Sequence, residues 1–286
     1  MSRAWRESLC LLLFVAVSFS SAVKSFLEKK ELENNLILGT CYDLIGNSVA
    51  GNNNYFINSY YNGKNKIKAS SIAVSSRAFI SGISNDKDVI KLITDYYQNE
   101  KVFLNGVMGE TFLSECFSEM YSKKELSRRE LILQELTKAK KLKLSDGDFE
   151  IVNLSDLEIM SKWTYDFFSE LDTIRSRTKD SILSETKQRI QNNLMFKWSY
   201  KGNIRSMAAI IRRSNHTGII GLVYTPAEFR GKGYGTSCVH KLCEHILKSG
   251  YESCGLYSEK ENPVSNKIYK NIGFVHCSEF SDIKFM

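Results

Sequence analysis

Residues 223–238, VYTPAEFRGKGYGTSC, place Arg230, Gly231, Gly233 and Gly235 within six positions of a chain that carries only 17 glycines in 286 residues. Before them runs GIIGLVYT (218–225), apolar and β-branched, which reads as a buried strand. After them Val239, Leu242, Cys243, Ile246 and Leu247 recur at helical spacing, and Gly250 follows as a stop. The glycines therefore join a strand to a helix N-terminus, where unpaired N–H groups and the positive end of the helix dipole favour an anion. Glycine adopts positive φ cheaply, and without a Cβ it lets phosphate oxygens approach the main chain. The same residues also suit a tight turn with no ligand. Neither the G-x-x-x-x-G-K-[ST] loop nor the G-x-G-x-x-G dinucleotide spacing occurs, so a bound phosphate would belong to another class of ligand.

A second stretch, ENPVSNKIYKNIGF (261–274), reads as a short helix. Asn262 suits its N-cap, Pro263 its first turn, and Gly273 its end, with Val264, Ile268 and Ile272 on one stripe. By residue type alone, Asn262 is a cap and Tyr269 a packed core tyrosine. Upstream, Ser155 and Glu158 form a capping-box pattern before Ile159, Met160, Trp163 and Phe167, and a second helix spans Lys179 to Asn193. RSMAAIIRR and GIIGLVYT then form a hairpin around SNHTG.

In the first half, SFLEKKELENNLILG (25–39), KDVIKLITDYYQNE (87–100) and GETFLSECFSEMYSKK (109–124) read as helices, with YFINSYY and SSIAVSS as strands. SRRELILQELTKAKKL (127–142) reads as a basic helix, and KLSDGD (143–148) as the turn that separates two α/β domains. The expected organisation is an extension at 1–17, a first domain at 18–143 and a second at 148–286.

Hydrophobic content of 43% and charged content of 25% exclude a disordered or fibrous chain. The net charge of +7 suits an anionic partner, but the lysines are spread along the chain. The cluster Lys138, Lys140, Lys141 and Lys143 reads as a solvated helix face, and no nucleic acid is expected as a partner. Seven cysteines without a C-x-x-C pair argue for reduced, mostly buried thiols. His240 and His245 fall about 140° apart around a helix, so no metal is expected. Arg3 and Arg6 precede an apolar run from Leu9 to Phe19 and the small residues Ser20, Ser21 and Ala22. That pattern fits a signal peptide or a buried first element and is too short for a membrane span.

Arg230-x-x-Gly233-x-Gly235 resembles the [QR]-x-x-G-x-[GA] pyrophosphate loop of the GNAT superfamily of acyl-CoA-dependent N-acyltransferases. RSMAAI with IGLVYTP before the loop, ENPVSNKIYKNIGF after it, and ENNLILG at 33–39 are similar to a bacterial-type subgroup in which a degenerate GNAT-like domain precedes the catalytic one. The resemblance covers residue 18 to the end, most strongly the second half. It implies two GNAT-like domains with mixed, largely antiparallel sheets flanked by helices, and one acyl-CoA site, in the second.

By that resemblance, pantetheine lies between the strands Ile219–Thr225 and Ser253–Tyr257. It meets main-chain groups of Leu222, Val223 and Tyr224, with Asn262 as a further contact. The diphosphate is held at Arg230, Gly231, Lys232, Gly233, Tyr234, Gly235 and Thr236, and Tyr269 protonates the leaving thiolate. The co-substrate implied is acetyl-CoA, without a metal, and the acceptor is an amine on a small molecule or peptide. Many relatives carry a strand glutamate as base, whereas GIIGLVYT has none, and Glu228 lies beyond the strand. A non-catalytic acyl-CoA sensor and a glycine N-acyltransferase-like enzyme remain open, and a homodimer is compatible. Because the resemblance begins near Phe19, a cytoplasmic protein is expected; cleavage after Ala22 would instead make it a secreted one.

Overall fold

The computed structural model describes residues 21–46, 55–61, 66–82, 86–121, 123–171 and 177–286. The apolar run from Leu9 to Phe19 and the expected extension at 1–17 lie outside the described residues. In chain order the elements are α1 (Ser21–Glu28), α2 (Asn35–Gly46), β1 (Tyr55–Tyr61), β2 (Ile67–Val74), β3 (Arg77–Gly82), α3 (Lys87–Asn99), β4 (Gly106–Glu110), α4 (Thr111–Met120) and β5 (Glu125–Leu136). There follow β6 (Asp148–Ile151), α5 (Leu157–Glu170), α6 (Lys179–Gln191), β7 (Met195–Tyr200), β8 (Asn203–Arg213), β9 (Thr217–Tyr224), α7 (Tyr234–Lys248), β10 (Ser253–Glu259), α8 (Pro263–Ile272) and β11 (Val275–Phe285). Among the described residues no helix is long and apolar enough to cross a membrane.

The chain divides into two compact units. One comprises Met1–Leu133, Ser258–Asn262 and His276–Met286; the other comprises Gln134–Tyr257 and Pro263–Val275. In the first, β1, β2 and β3 form an antiparallel meander, β4 runs parallel to β3, and β11 pairs antiparallel to β4. Alternate strand residues face opposite sides. Ala73, Ala78 and Ile80 pack under α3 and α4 with Ile93, Tyr97, Leu113 and Phe117, while Ile72 packs with Leu27, Ile37 and Leu38 of α1 and α2. The C-terminal strand is held by charge as well: Asp282 pairs with Arg77 and lies 3.9 Å from Arg129, which also grips Glu259 at 2.9 Å. Burial, with the neighbouring Arg129, lowers the Arg77 guanidinium to about 10.

The second unit repeats the arrangement. β6, β7, β8 and β9 are antiparallel, and β10 runs parallel to β9. Ala208 and Ile210 face α7 and α8, packing with Val239, Leu242, Ile246 and Ile272. Met207 and Ala209 face α5, packing with Met160 and Trp163. Each fully buried Leu, Ile or Val of α7 contributes about 1.5–3 kcal/mol, which fixes the helix that follows the glycine-rich loop. In both units a parallel strand pair is joined through a helix: β3, α3, β4 in one and β9, α7, β10 in the other.

Three local expectations are corrected. SRRELILQELTKAKKL is not a helix: residues 125–136 form β5, with Leu131, Leu133 and Leu136 buried, because tertiary pairing overrides the helix propensity of Leu, Glu, Gln and Arg. The stretch 25–39 is two helices with a turn between them, and there the Asn34 and Asn35 amides donate to Leu27 O and Leu32 O. The capping box falls at Asn153 and Asp156 rather than at Ser155 and Glu158.

The lysine cluster also lies off any helix. Residues 138–147 form an extended strap fastened to the second unit. Lys140 N–H donates to Ile272 O at 2.8 Å, His240 Nε2 meets Lys140 O at 2.8 Å, and Trp198 Nε1 donates to Asp146 O at 3.2 Å. Gly147 (φ 131°) presses on β7, and a Cβ there would come within 2.3 Å of Ser199 O. Gly202 (φ 73°) has open space. Gly147→Ala should therefore lower the unfolding free energy by more than about 2 kcal/mol and Gly202→Ala by about 1 kcal/mol, read by chemical denaturation. Equal effects would mean that the strap is not pressed against β7.

Candidate functional site

The site is built where β9 and β10 part. Their parallel register runs from Thr217 opposite Ser253 to Ile220 opposite Leu256 and then stops. Leu222, at φ 50°, bulges β9 at this point, and the pairing with β8 skips register around it. The edge of Gly221–Tyr224 that faced β10 is left without a strand partner among the described residues. Main-chain groups of Leu222, Val223 and Tyr224 are thus available for an extended ligand.

From Tyr224 the chain passes Pro226 and a 3₁₀ turn (Ala227–Phe229) to Arg230 and enters α7. Gly231 and Gly233 have φ of 76° and 79°, and no atom lies within 4 Å of where a Gly231 Cβ would stand. A Cβ on Gly235 would stand 2.9 Å from Thr225 Oγ1. Two of the glycines are therefore required by backbone conformation and one by close packing. The N-cap of α7 is Gly233, with no side-chain hydrogen bond, so the N–H groups of Tyr234, Gly235 and Thr236 lack intrahelical partners and the positive end of the dipole is unneutralised.

The cations of the loop are engaged with the protein. Arg230 Nη2 donates to both carboxylate oxygens of Glu170, at 2.7 and 2.8 Å, and its Nε donates to Thr225 O at 2.8 Å. Lys232 Nζ donates to Glu228 O at 3.2 Å. Tyr224 OH also donates to Glu170, at 3.3 Å; burial and that carboxylate hold the phenol up at about 12. Glu170 carries no sequence signal, since it ends a helix sixty positions before its partner. The brace at the α7 N-terminus is equally silent: Ser145 N–H donates to Ser237 Oγ at 2.9 Å, and the two hydroxyls are also 2.9 Å apart.

Tyr269, on α8, is buried in the same apolar cluster as Val223 and Tyr234, edge-on to Phe274 with ring centroids 5.8 Å apart. Its hydroxyl has no hydrogen-bond partner among the described residues. Burial, then Cys243, push its pKa up to about 12. Asn262 is exposed just before α8, its N–H donating to Glu259 O at 3.1 Å. No carboxylate lies on β9.

Residues 199–280 match the family model of FR47-like protein. Among solved structures, a Drosophila protein is similar at 11% identity, covering 93% of this chain and 94% of its own, with a TM-score of 0.65. A GCN5-related N-acetyltransferase from Sphaerobacter thermophilus is similar at 12% identity, covering 86% of this chain and 85% of its own, with a TM-score of 0.60. A tandem GNAT protein from the clavulanic acid biosynthesis pathway is similar at 10% identity, covering 93% and 96%, with a TM-score of 0.53. The chain has the GNAT fold. A search of curated protein sequences returns no match. The FR47-like segment of this GNAT-fold chain takes in β8, β9, the loop, α7, β10 and α8, and so every candidate site residue from Leu222 to Tyr269.

Because the Tyr269 hydroxyl makes no hydrogen bond to the described residues, its removal leaves the packing of the ring intact. Tyr269→Phe should unfold within about 1 kcal/mol of the parent protein, and Tyr269→Ala should lose about 3–5 kcal/mol. A large loss for Tyr269→Phe would mean that the hydroxyl has a structural partner.

Proposed function

We propose that this chain is a GNAT-type N-acetyltransferase that uses acetyl-CoA to acetylate an amine on a small molecule or peptide. The observation that carries the reading is the early end of the β9–β10 pairing beside a positive-φ glycine loop and an uncapped helix N-terminus. Main-chain groups of Leu222, Val223 and Tyr224 bind pantetheine, with Asn262 as a further contact. The N–H groups from Gly231 to Thr236, with Arg230 and Lys232, hold the diphosphate. Each contact at the helix end is modest, about 0.3–1 kcal/mol, so affinity comes from several together. Acetyl-CoA supplies an activated thioester, and its use favours a cytoplasmic location.

Tyr269 holds the proton that the departing thiolate takes from its Oη. With the phenol near 12 and an ordinary thiol near 8.5, that transfer is uphill by about 5 kcal/mol. The site offsets it because the burial that raises the phenol also raises a thiol placed beside it. An α-amine, with pKa near 8, needs about 1 kcal/mol to lose its proton at pH 7, whereas a lysine needs about 4–5 kcal/mol. With no carboxylate on β9, the amine of lower pKa is the better acceptor.

In this reading residues 18–143 form a degenerate domain and 148–286 the catalytic one. The N-terminus of the helix of the first unit that corresponds to α7 already carries carboxylates: Asp86 caps α3 and Asp88 sits in its first turn.

Calorimetric titration should give one CoA per chain, and Gly233→Val, which puts a β-branched residue at φ 79°, should weaken binding at least ten-fold. Equal affinities would place the diphosphate elsewhere. Tyr269→Phe should bind CoA normally and lose about 10²–10⁴ in turnover at pH 7. With its pKa near 12, Tyr269 stays protonated through pH 10, so the parent protein should show no alkaline loss from this group below about pH 11. Unchanged turnover in Tyr269→Phe would make it a packing residue.

A further inference from the structure

Arg230, assigned above to the diphosphate, is already in contact with a carboxylate. Its Nη2 donates to both oxygens of Glu170 and its Nε to Thr225 O, while its Nη1 donates to none of the described residues. The guanidinium can therefore meet a diphosphate through Nη1 with Glu170 still attached, and the two anions then share a single positive charge. Glu170 closes α5, whose last turn carries no basic residue, so its carboxylate stands at the negative end of that helix dipole and depends on a cation. Arg177, stacked on Phe168 of α5, is held by Glu185, and Lys162 by Asp166. Among the described residues Arg230 alone pairs with Glu170.

A second contact places this carboxylate at the opened strand. Tyr224 OH donates to Glu170 at 3.3 Å, and the Tyr224 ring lies 6.1 Å, centroid to centroid, from Trp163 of α5. The Tyr224 main chain is the end of the free edge of β9. Leu222 and Tyr224 pack with Met160 and Trp163 on the α5 side of the sheet, whereas Val223 packs with Tyr234 and Tyr269 on the α7–α8 side. The proposed acid and the Glu170 carboxylate thus belong to opposite faces of β9, and an acceptor that approaches from the α5 face meets Glu170.

We propose that Glu170 selects an acceptor that carries a second ammonium group besides the amine to be acetylated, and that cofactor binding strengthens this selection because the diphosphate draws on the charge of Arg230. The proposal rests on the acetyl-CoA reading above. With the cofactor bound, Glu170 keeps its hydrogen bond from Tyr224 but only part of the charge of Arg230, and the ammonium of the acceptor completes the balance. By linkage, such an acceptor raises the affinity for acyl-CoA by the same factor. A second ammonium also lowers the pKa of the reacting amine, since like charges disfavour one another, and this suits a site with no carboxylate on β9.

The test joins calorimetric titration of CoA to acetylation kinetics with lysinamide and norleucinamide, which share an α-amine and differ in the ε-ammonium. Glu170→Gln keeps an oxygen for Arg230 and Tyr224 and removes the charge; Glu158→Gln, at the other end of α5, controls for net charge and should behave as the parent does. Glu170→Gln should bind CoA about three-fold more tightly, a modest gain because the pair is half exposed. At saturating acetyl-CoA the parent protein should favour lysinamide about five-fold in kcat/KM, through KM, and Glu170→Gln should not distinguish the two amides. Weaker CoA binding in Glu170→Gln would make Glu170 a support for Arg230 alone and overturn the proposal. So would a parent protein without the preference, or a preference that survives in the variant, and each of these leaves the acetyl-CoA reading intact. CoA binding without turnover of either amide, or no CoA binding at all, would overturn both.

Discussion

The site depends on one constraint: β9 and β10 run parallel for four residue pairs and no further. A bulge at Leu222 turns β9 out of register, leaving polar main-chain groups that a continuous sheet would have used. The same departure carries the chain into the loop, so the free strand edge and the free helix N-terminus arise at the same end of the same strand. Neither feature would bind a phosphorylated thioester well alone. Their adjacency is a property of the strand–loop–helix connection.

The loop geometry is held from three sides. Gly235 lets α7 start against Thr225, which shares a 2.9 Å hydrogen bond with Ser206 on β8. Arg230 ties the loop to the end of α5 through Glu170, an exposed pair whose contribution is directional more than energetic. Ser145 and Ser237 fasten the strap to the first turn of α7. The dipole and N–H groups therefore point in a fixed direction before any ligand arrives, which lowers the ordering cost of binding.

Much of this second unit was legible in the sequence. The hairpin, the strand–glycine–helix order and the apolar stripe of α7 follow from spacings of two and 3.6 residues, and in them local propensity and tertiary packing agree. The failures share one cause. In β5, Leu, Glu, Gln and Arg favour a helix, and only pairing with distant strands makes a strand of them. The strap read as the end of a basic helix running into a turn, yet its partners Trp198, Ser237, His240 and Ile272 lie 52 to 132 positions away, beyond any local pattern. Glu170 was invisible for the same reason. Tyr269 and Asn262 were visible only through resemblance, since a tyrosine on an apolar stripe and an asparagine before a helix are ordinary on their own.

The central claim is that the opened strand pair and its loop serve acyl transfer rather than binding alone. The most direct measurement is the appearance of free CoA thiol from acetyl-CoA, followed with a thiol reagent, as amines of graded pKa are supplied to the full chain. The account predicts thiol release that requires the amine, is matched by N-acetylated product, and is fastest at neutral pH for α-amines near pKa 8. Tight acetyl-CoA binding with no amine-dependent thiol release across amino acids, polyamines, aminoglycosides and peptides would contradict it and make the protein an acyl-CoA sensor.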